Sequence, residues 1–142
     1  MINLIEYLSE ISEYNYALCK IDVPYMTNNF PKTYPVGKDL DVYVSSNDYE
    51  NMILHTKRYF LNCEYTQKCI QTENNFRLRL NQNKKLHYQI DITVSDDYVK
   101  NRKHRNYFYE VSFETEIKIR QNEVLKNPRK KHHREWLKKW MK

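Results

Sequence analysis

Glycine is nearly missing from this 142-residue chain, which has one, Gly37. A single glycine excludes a P-loop and a dinucleotide fingerprint, both of which need several glycines at fixed spacing. Cysteine is scarce too. Cys19, Cys63 and Cys69 form an odd set without metal-ligand spacing, which predicts ordinary thiols in a reducing, cytoplasmic setting. Long apolar runs are absent, far short of the roughly 20 residues that span a bilayer, so no membrane association is expected. The opening residues Met1 to Glu6 lack a basic region and bring an acid early, so no signal peptide is expected. Aromatic residues, by contrast, are plentiful. With 13 Tyr, 5 Phe and 40% apolar residues, one packed domain is well within reach.

Charge is distributed unevenly. Residues 127–142 hold seven of the 24 bases (Arg129, Lys130, Lys131, Arg134, Lys138, Lys139 and Lys142) and one of the 18 acids, Glu135. The remaining 17 bases and 17 acids cancel. A neutral body with a basic end results. Such an end suits phosphates, nucleic acid or an acidic partner, although a solvated helix face has the same composition.

Periodicity predicts the elements. Leu4, Ile5, Leu8 and Ile11 mark a short amphipathic helix over 2–12, and residues 14–20 read as a strand. A loop containing Pro24, Pro31 and Pro35 follows, with Asn28-Asn29 as its turn. Asp39 to Val44 alternates strictly, with Leu40, Val42 and Val44 on one face. Asn47 and Glu50 resemble a helix-opening box ahead of a stripe of Tyr49, Met52, Ile53, Thr56, Tyr59 and Phe60. Strands are expected over 63–71, 76–81 and 86–94, the last two forming an antiparallel hairpin. Lys100 to Arg105 reads as a mobile basic stretch leading to aromatic Tyr107 to Phe113. Helices are expected over 114–126 and 129–141, with Trp136, Leu137, Trp140 and Met141 on one side, where Trp136 and Trp140 either dock the tail on the body or form a partner or nucleic-acid surface, core packing being preferred. His132 and His133, about 100° apart on a helix, read as surface residues. The order implies an α+β domain with a mixed, largely antiparallel sheet. Residues 1–113 would form its core and 114–142 a basic helical segment packed on it or appended to it.

Asp39 and Asp41 are the most informative pair. Two residues apart on a strand, they share a face while their apolar neighbours anchor the other. Close carboxylates repel one another unless a cation intervenes. Mg²⁺, which accepts one or two carboxylates plus phosphates and water, is the usual compensation, with Mn²⁺ as a substitute. Asp91, set between Ile90 and Ile92, has the same local setting. Were its strand to lie beside that of Asp39, the trio would suit two ions and in-line phosphoryl chemistry. Arg77 and Arg79 alternate with Leu78 and Leu80, placing both on one face, in position either to clamp a triphosphate or to pair with surface acids.

Gly37-Lys38-Asp39-Leu40-Asp41-Val42-Tyr43-Val44 resembles the D-x-D strand of the polymerase-beta-like nucleotidyltransferase superfamily, particularly of its small minimal members. Gln89-Ile90-Asp91-Ile92 resembles that family's third-acid strand, and Glu116 to Trp136 weakly resembles the helical segment behind its sheet. The resemblance covers most of residues 14–94. It implies a nucleotidyltransferase-like fold and transfer of a nucleotide from ATP or another NTP to an acceptor hydroxyl. Asp39, Asp41 and Asp91 would then be catalytic and metal-binding, and Gly37, Lys38, Arg77 and Arg79 would contact nucleotide phosphates. The acceptor, whether a small molecule, an RNA end or a protein hydroxyl, is left open. One departure stands out: the Gly-Gly or Gly-Ser phosphate turn of active members has no counterpart in Tyr25 to Phe30. A catalytically degenerate binding module, gripping RNA or an acidic protein through its tail, is therefore the alternative, and a metal-dependent nuclease is a third reading.

Overall fold

The computed structural model describes residues 3–21, 30–34 and 37–141. The expectations for Pro24, Asn28-Asn29, Pro35 and most of the Tyr25–Phe30 stretch lie outside these residues. Helix α1 (Ile5–Glu10) runs into a short 3₁₀ turn, Ile11–Glu13, and then strand β1 (Tyr16–Cys19). Strand β2 (Lys38–Val44) and helix α2 (Tyr49–Tyr59) follow, then β3 (Thr66–Gln71), β4 (Asn75–Gln82) and β5 (Lys85–Val94). The chain ends with β6 (Lys103–Arg105), β7 (Phe108–Glu110), α3 (Phe113–Lys126) and α4 (Lys131–Trp140). The result is the expected α+β architecture.

Seven strands form one sheet in the order β3-β4-β5-β2-β1-β7-β6. Neighbours are antiparallel except β2 beside β5 and β1 beside β7, which run parallel. Alternation decides the faces. Leu18, Leu40, Val42, Leu78, Ile90 and Ile92 pack on one side against Tyr7, Leu8 and Ile11 from the N-terminal helical segment and Met52 and Ile53 of α2. Burying each large apolar side chain there contributes roughly 1.5–3 kcal/mol, enough to fix the strand register, since a one-residue slip would reverse every face. A smaller cluster on the opposite side joins Ala17 and Cys19 to Val99, Val111 and Ile119. Helix α3 thus packs on part of the second face.

Four local expectations need correction. The 100–113 region is a strand hairpin, with β6 paired to β7 around Asn106 and β7 joined to β1 through Leu18 and Glu110. Strands of three residues are too short to show alternation. The box at Asn47 and Glu50 does not form; Asp48 sits at the cap position without a capping hydrogen bond, and its carboxylate accepts instead from the Asn15 N–H at 2.7 Å. Strand β3 starts at Thr66, three residues after the expected start at 63. Finally, His133 is buried, only 2% exposed, because α4 folds back along α3. Pro128 lies in the bend, and Ser112 caps α3 by accepting the Thr115 N–H at 3.2 Å. Among the described residues no helix is long and apolar enough to cross a membrane.

Candidate functional site

The parallel pairing of β2 with β5 sets Asp41 directly beside Asp91. On their outer flanks, Cys19 of β1 faces Asp41 and Arg77 of β4 faces Asp91. One row across the sheet therefore reads Cys19, Asp41, Asp91, Arg77. Asp39 begins the next row beside Gln89, which in turn faces Arg79. Adjacent strands are about 4.8 Å apart, and same-face residues along a strand are about 7 Å apart, so the three carboxylates occupy one small patch. Gly37 leads into that patch with a φ of +84°, a left-handed conformation that glycine adopts without strain, and its N–H donates to the His87 carbonyl.

The patch floors a cleft of about 640 Å³ whose roof is built by α3 and α4. Partial desolvation by the cleft walls raises the pKa of Asp39 although its side chain stays open to solvent, and the neighbouring charge of Asp91 raises it further, against the pull of Arg77, Lys20 and Lys130. Asp41 is likewise raised, mainly by burial, with Asp91 and Asp39 adding to it and Lys20 opposing. Like charges are thus crowded here. Lys20 supplies partial relief: its Nζ lies 3.3 Å from Asp41 Oδ2 and 3.5 Å from Glu123 Oε1. Asp91 is held on both oxygens. Asn75 Nδ2 donates to Oδ1 at 2.9 Å, Gln89 Nε2 approaches Oδ2 at 3.4 Å, and Arg77 Nε stands 3.5 Å from Oδ2 as an ion pair.

A buried polar network makes the roof. Arg120, fully buried, donates from Nε to Glu116 at 3.1 Å and from Nη1 to His133 Nδ1 at 3.0 Å. A guanidinium only donates, so Nδ1 carries no proton and the neutral imidazole keeps it on Nε2, which faces Glu123 Oε2 at 3.9 Å. Burial, His132 and Arg120 push the His133 pKa down to about 4. Glu116 is raised by burial despite Arg120 and the Lys20 N–H. Burial opposes the charge of Glu123 as well, yet the Lys20 ammonium, with hydrogen bonds from Lys20 and Asn127, outweighs it and its pKa falls.

The candidate residues distribute as follows. Asp39, Asp41, Asp91, Gly37, Lys38 and Arg77 all line the cleft. Arg79 lies on the same face as Arg77 but outside the cleft lining, opposite Gln89 and Lys68. Of the basic tail, Lys130 reaches the cleft, while Arg129, Lys131, Arg134, Lys138 and Lys139 are exposed on or beside α4. Trp136 is buried against Phe113, and Trp140 packs on both of them while staying half exposed. Sequence reasoning missed Lys20, Glu116, Arg120 and Glu123. Glu116, Arg120 and Glu123 recur at helical spacing on α3, which was the available signal; their partners on β1 and α4 were not visible.

Among the described residues, no three His, Cys, Asp or Glu side chains converge to hold one ion. Mg²⁺ does not need three. Asp39 is exposed and Asp41 has a second oxygen beyond its lysine contact, so the pair offers the two hard carboxylate donors that Mg²⁺ accepts alongside phosphate and water. No protein-family model matches this chain, and no curated protein is significantly similar to it.

Proposed function

We propose that the chain is a metal-dependent nucleotidyltransferase, moving a nucleoside monophosphate from an NTP such as ATP to an acceptor hydroxyl with release of pyrophosphate. The observation that carries this reading is the in-register placement of Asp41 beside Asp91 on parallel strands, with Asp39 on the same face of an open cleft. Asp39 and Asp41 would hold Mg²⁺ or Mn²⁺, which neutralises the triphosphate and fixes the α-phosphorus for in-line attack when bound. Asp91, oriented by Asn75 and Arg77, takes the proton of the acceptor hydroxyl and passes it to solvent. The new bond joins the acceptor oxygen to the α-phosphorus. The bond to the β-phosphate bridging oxygen breaks, and its electron pair leaves with pyrophosphate. Lys38, Arg77 and Lys130 at the cleft wall attract the phosphates. A small molecule, an RNA end and a protein hydroxyl all present the required nucleophile, and the reaction is assigned to a cytoplasmic setting.

The test is incubation with each labelled NTP and Mg²⁺ or Mn²⁺, comparing the wild type with Asp39→Ala/Asp41→Ala. Metal-dependent nucleotide binding, absent from the double variant, is the expected result. Equal binding by both proteins would remove the support for this mechanism.

A second reading has its own observation. Arg129, Lys131, Arg134, Lys138 and Lys139 present an exposed basic surface away from the acids. A catalytically degenerate module would use it to hold RNA or an acidic protein. Binding of RNA that weakens steeply with salt, survives loss of the aspartates and proceeds without NTP turnover would favour this second reading.

A further inference from the structure

Lys20 directly follows β1, and its backbone has a φ of 57°, in the left-handed region that a side chain other than glycine enters at a cost of about 1 kcal/mol. The strained backbone is held in place: the Lys20 N–H donates to both carboxylate oxygens of Glu116, at 3.0 and 3.3 Å. In this conformation the ammonium turns into the cleft and bridges the sheet to the roof, between Asp41 Oδ2 and Glu123 Oε1. Its side chain is only 18% exposed. A surface ion pair contributes little and needs neither a strained residue nor two acids from separate elements. The expense here goes into fixing one positive charge against one of the three clustered aspartates.

Two-metal phosphoryl-transfer sites hold their ions about 3.5–4 Å apart, bridged by shared carboxylates. In this cleft one oxygen of Asp41 already faces an ammonium. Asp91 is partnered by Asn75 on one oxygen and by Arg77 and Gln89 on the other, and the lone pair left on Oδ1 is the one that takes the acceptor proton. Among the described residues, what remains on this patch for divalent ions is Asp39 and the second oxygen of Asp41, which suits one ion rather than two. We propose that Lys20 is a built-in cation that stands in for the second metal, so that the protein handles its nucleotide with a single divalent ion. This rests on the nucleotidyltransferase reading given above. Lys20 acts as a positioning residue: it holds Asp41 and cancels its charge without itself reacting.

The experiment counts Mn²⁺ bound per chain, by electron paramagnetic resonance and by calorimetry, in the presence of an α,β-methylene ATP analogue that cannot be cleaved. One ion is expected for the wild type. Lys20→Met should bind two, with the first held about tenfold or more tightly because a neighbouring charge has been removed. Lys20→Arg, which keeps the charge, should still bind one, and circular dichroism melting shows whether each variant is folded. Two ions in the wild type would overturn the role of Lys20 and leave the enzymatic reading standing. One ion in a folded Lys20→Met, at unchanged affinity, would do the same. Should Lys20→Met not fold, the counts in wild type and Lys20→Arg decide. No bound ion in any of the proteins would overturn both this inference and the nucleotidyltransferase reading.

Discussion

Arg120 and His133 join α3 to α4 through one hydrogen bond, 3.0 Å long and fully buried, in which the imidazole Nδ1 accepts from the guanidinium. That geometry requires a neutral ring. The ring's pKa lies at about 4 in the folded protein, below the ordinary 6.5. Between those values the unfolded chain takes up a proton that the folded one refuses, so the contribution of His133 to stability is present above pH 6.5 and lost as pH falls toward 4.

His133→Gln retains an acceptor for Arg120 but cannot titrate. Comparing urea unfolding of the two proteins at pH 7 and pH 5 cancels the contribution of the raised carboxylates, which runs the other way. The wild type should lose roughly 1–2 kcal/mol relative to the variant on moving from pH 7 to pH 5. A constant difference across that range would contradict the neutral buried imidazole.

Much of the arrangement was legible in the chain, and the limits have a physical pattern. The D-x-D strand was readable because Leu40, Val42 and Val44 alternate with Asp39, Asp41 and Tyr43, and burial on one face enforces that alternation. The β4–β5 hairpin was readable for the same reason. Lys20 and Arg120 were not, because nothing local distinguishes a lysine that will bridge two acids from one in water. Their roles come from Asp41, Glu123 and His133, which are distant in sequence and brought close only by the completed sheet and the return of α4. The β6–β7 hairpin escaped notice because its strands are too short to carry a period.

Glu116 tests how the roof is balanced. Its carboxylate is mostly buried, bonded to Arg120 and to the Lys20 N–H. Arg120→Met should cost about 3 kcal/mol in urea unfolding, since removing one partner of a buried pair strands the other. Adding Glu116→Gln to that variant should recover part of the loss, because the stranded charge is gone. A double variant as unstable as the sum of its parts would show that the two side chains act independently.

Gly37 isolates backbone strain from packing. An added Cβ would meet no heavy atom within 4 Å, yet the φ of +84° remains unfavourable for alanine. Gly37→Ala should therefore lower stability by about 1 kcal/mol in thermal unfolding, with little change in packing. A loss several times larger would mean that the entry to β2 is more constrained than its open surroundings indicate.

The placement of β2 next to β5 has a kinetic consequence. Hairpin β4–β5 closes over a short stretch of chain, whereas Asp41 meets Asp91 across a sequence separation of 50 residues. Loop-closure entropy makes such a distant encounter slow compared with local hairpins. On that ground the mutually repelling acids should meet late in assembly, and added salt that screens them should speed refolding followed by stopped-flow fluorescence.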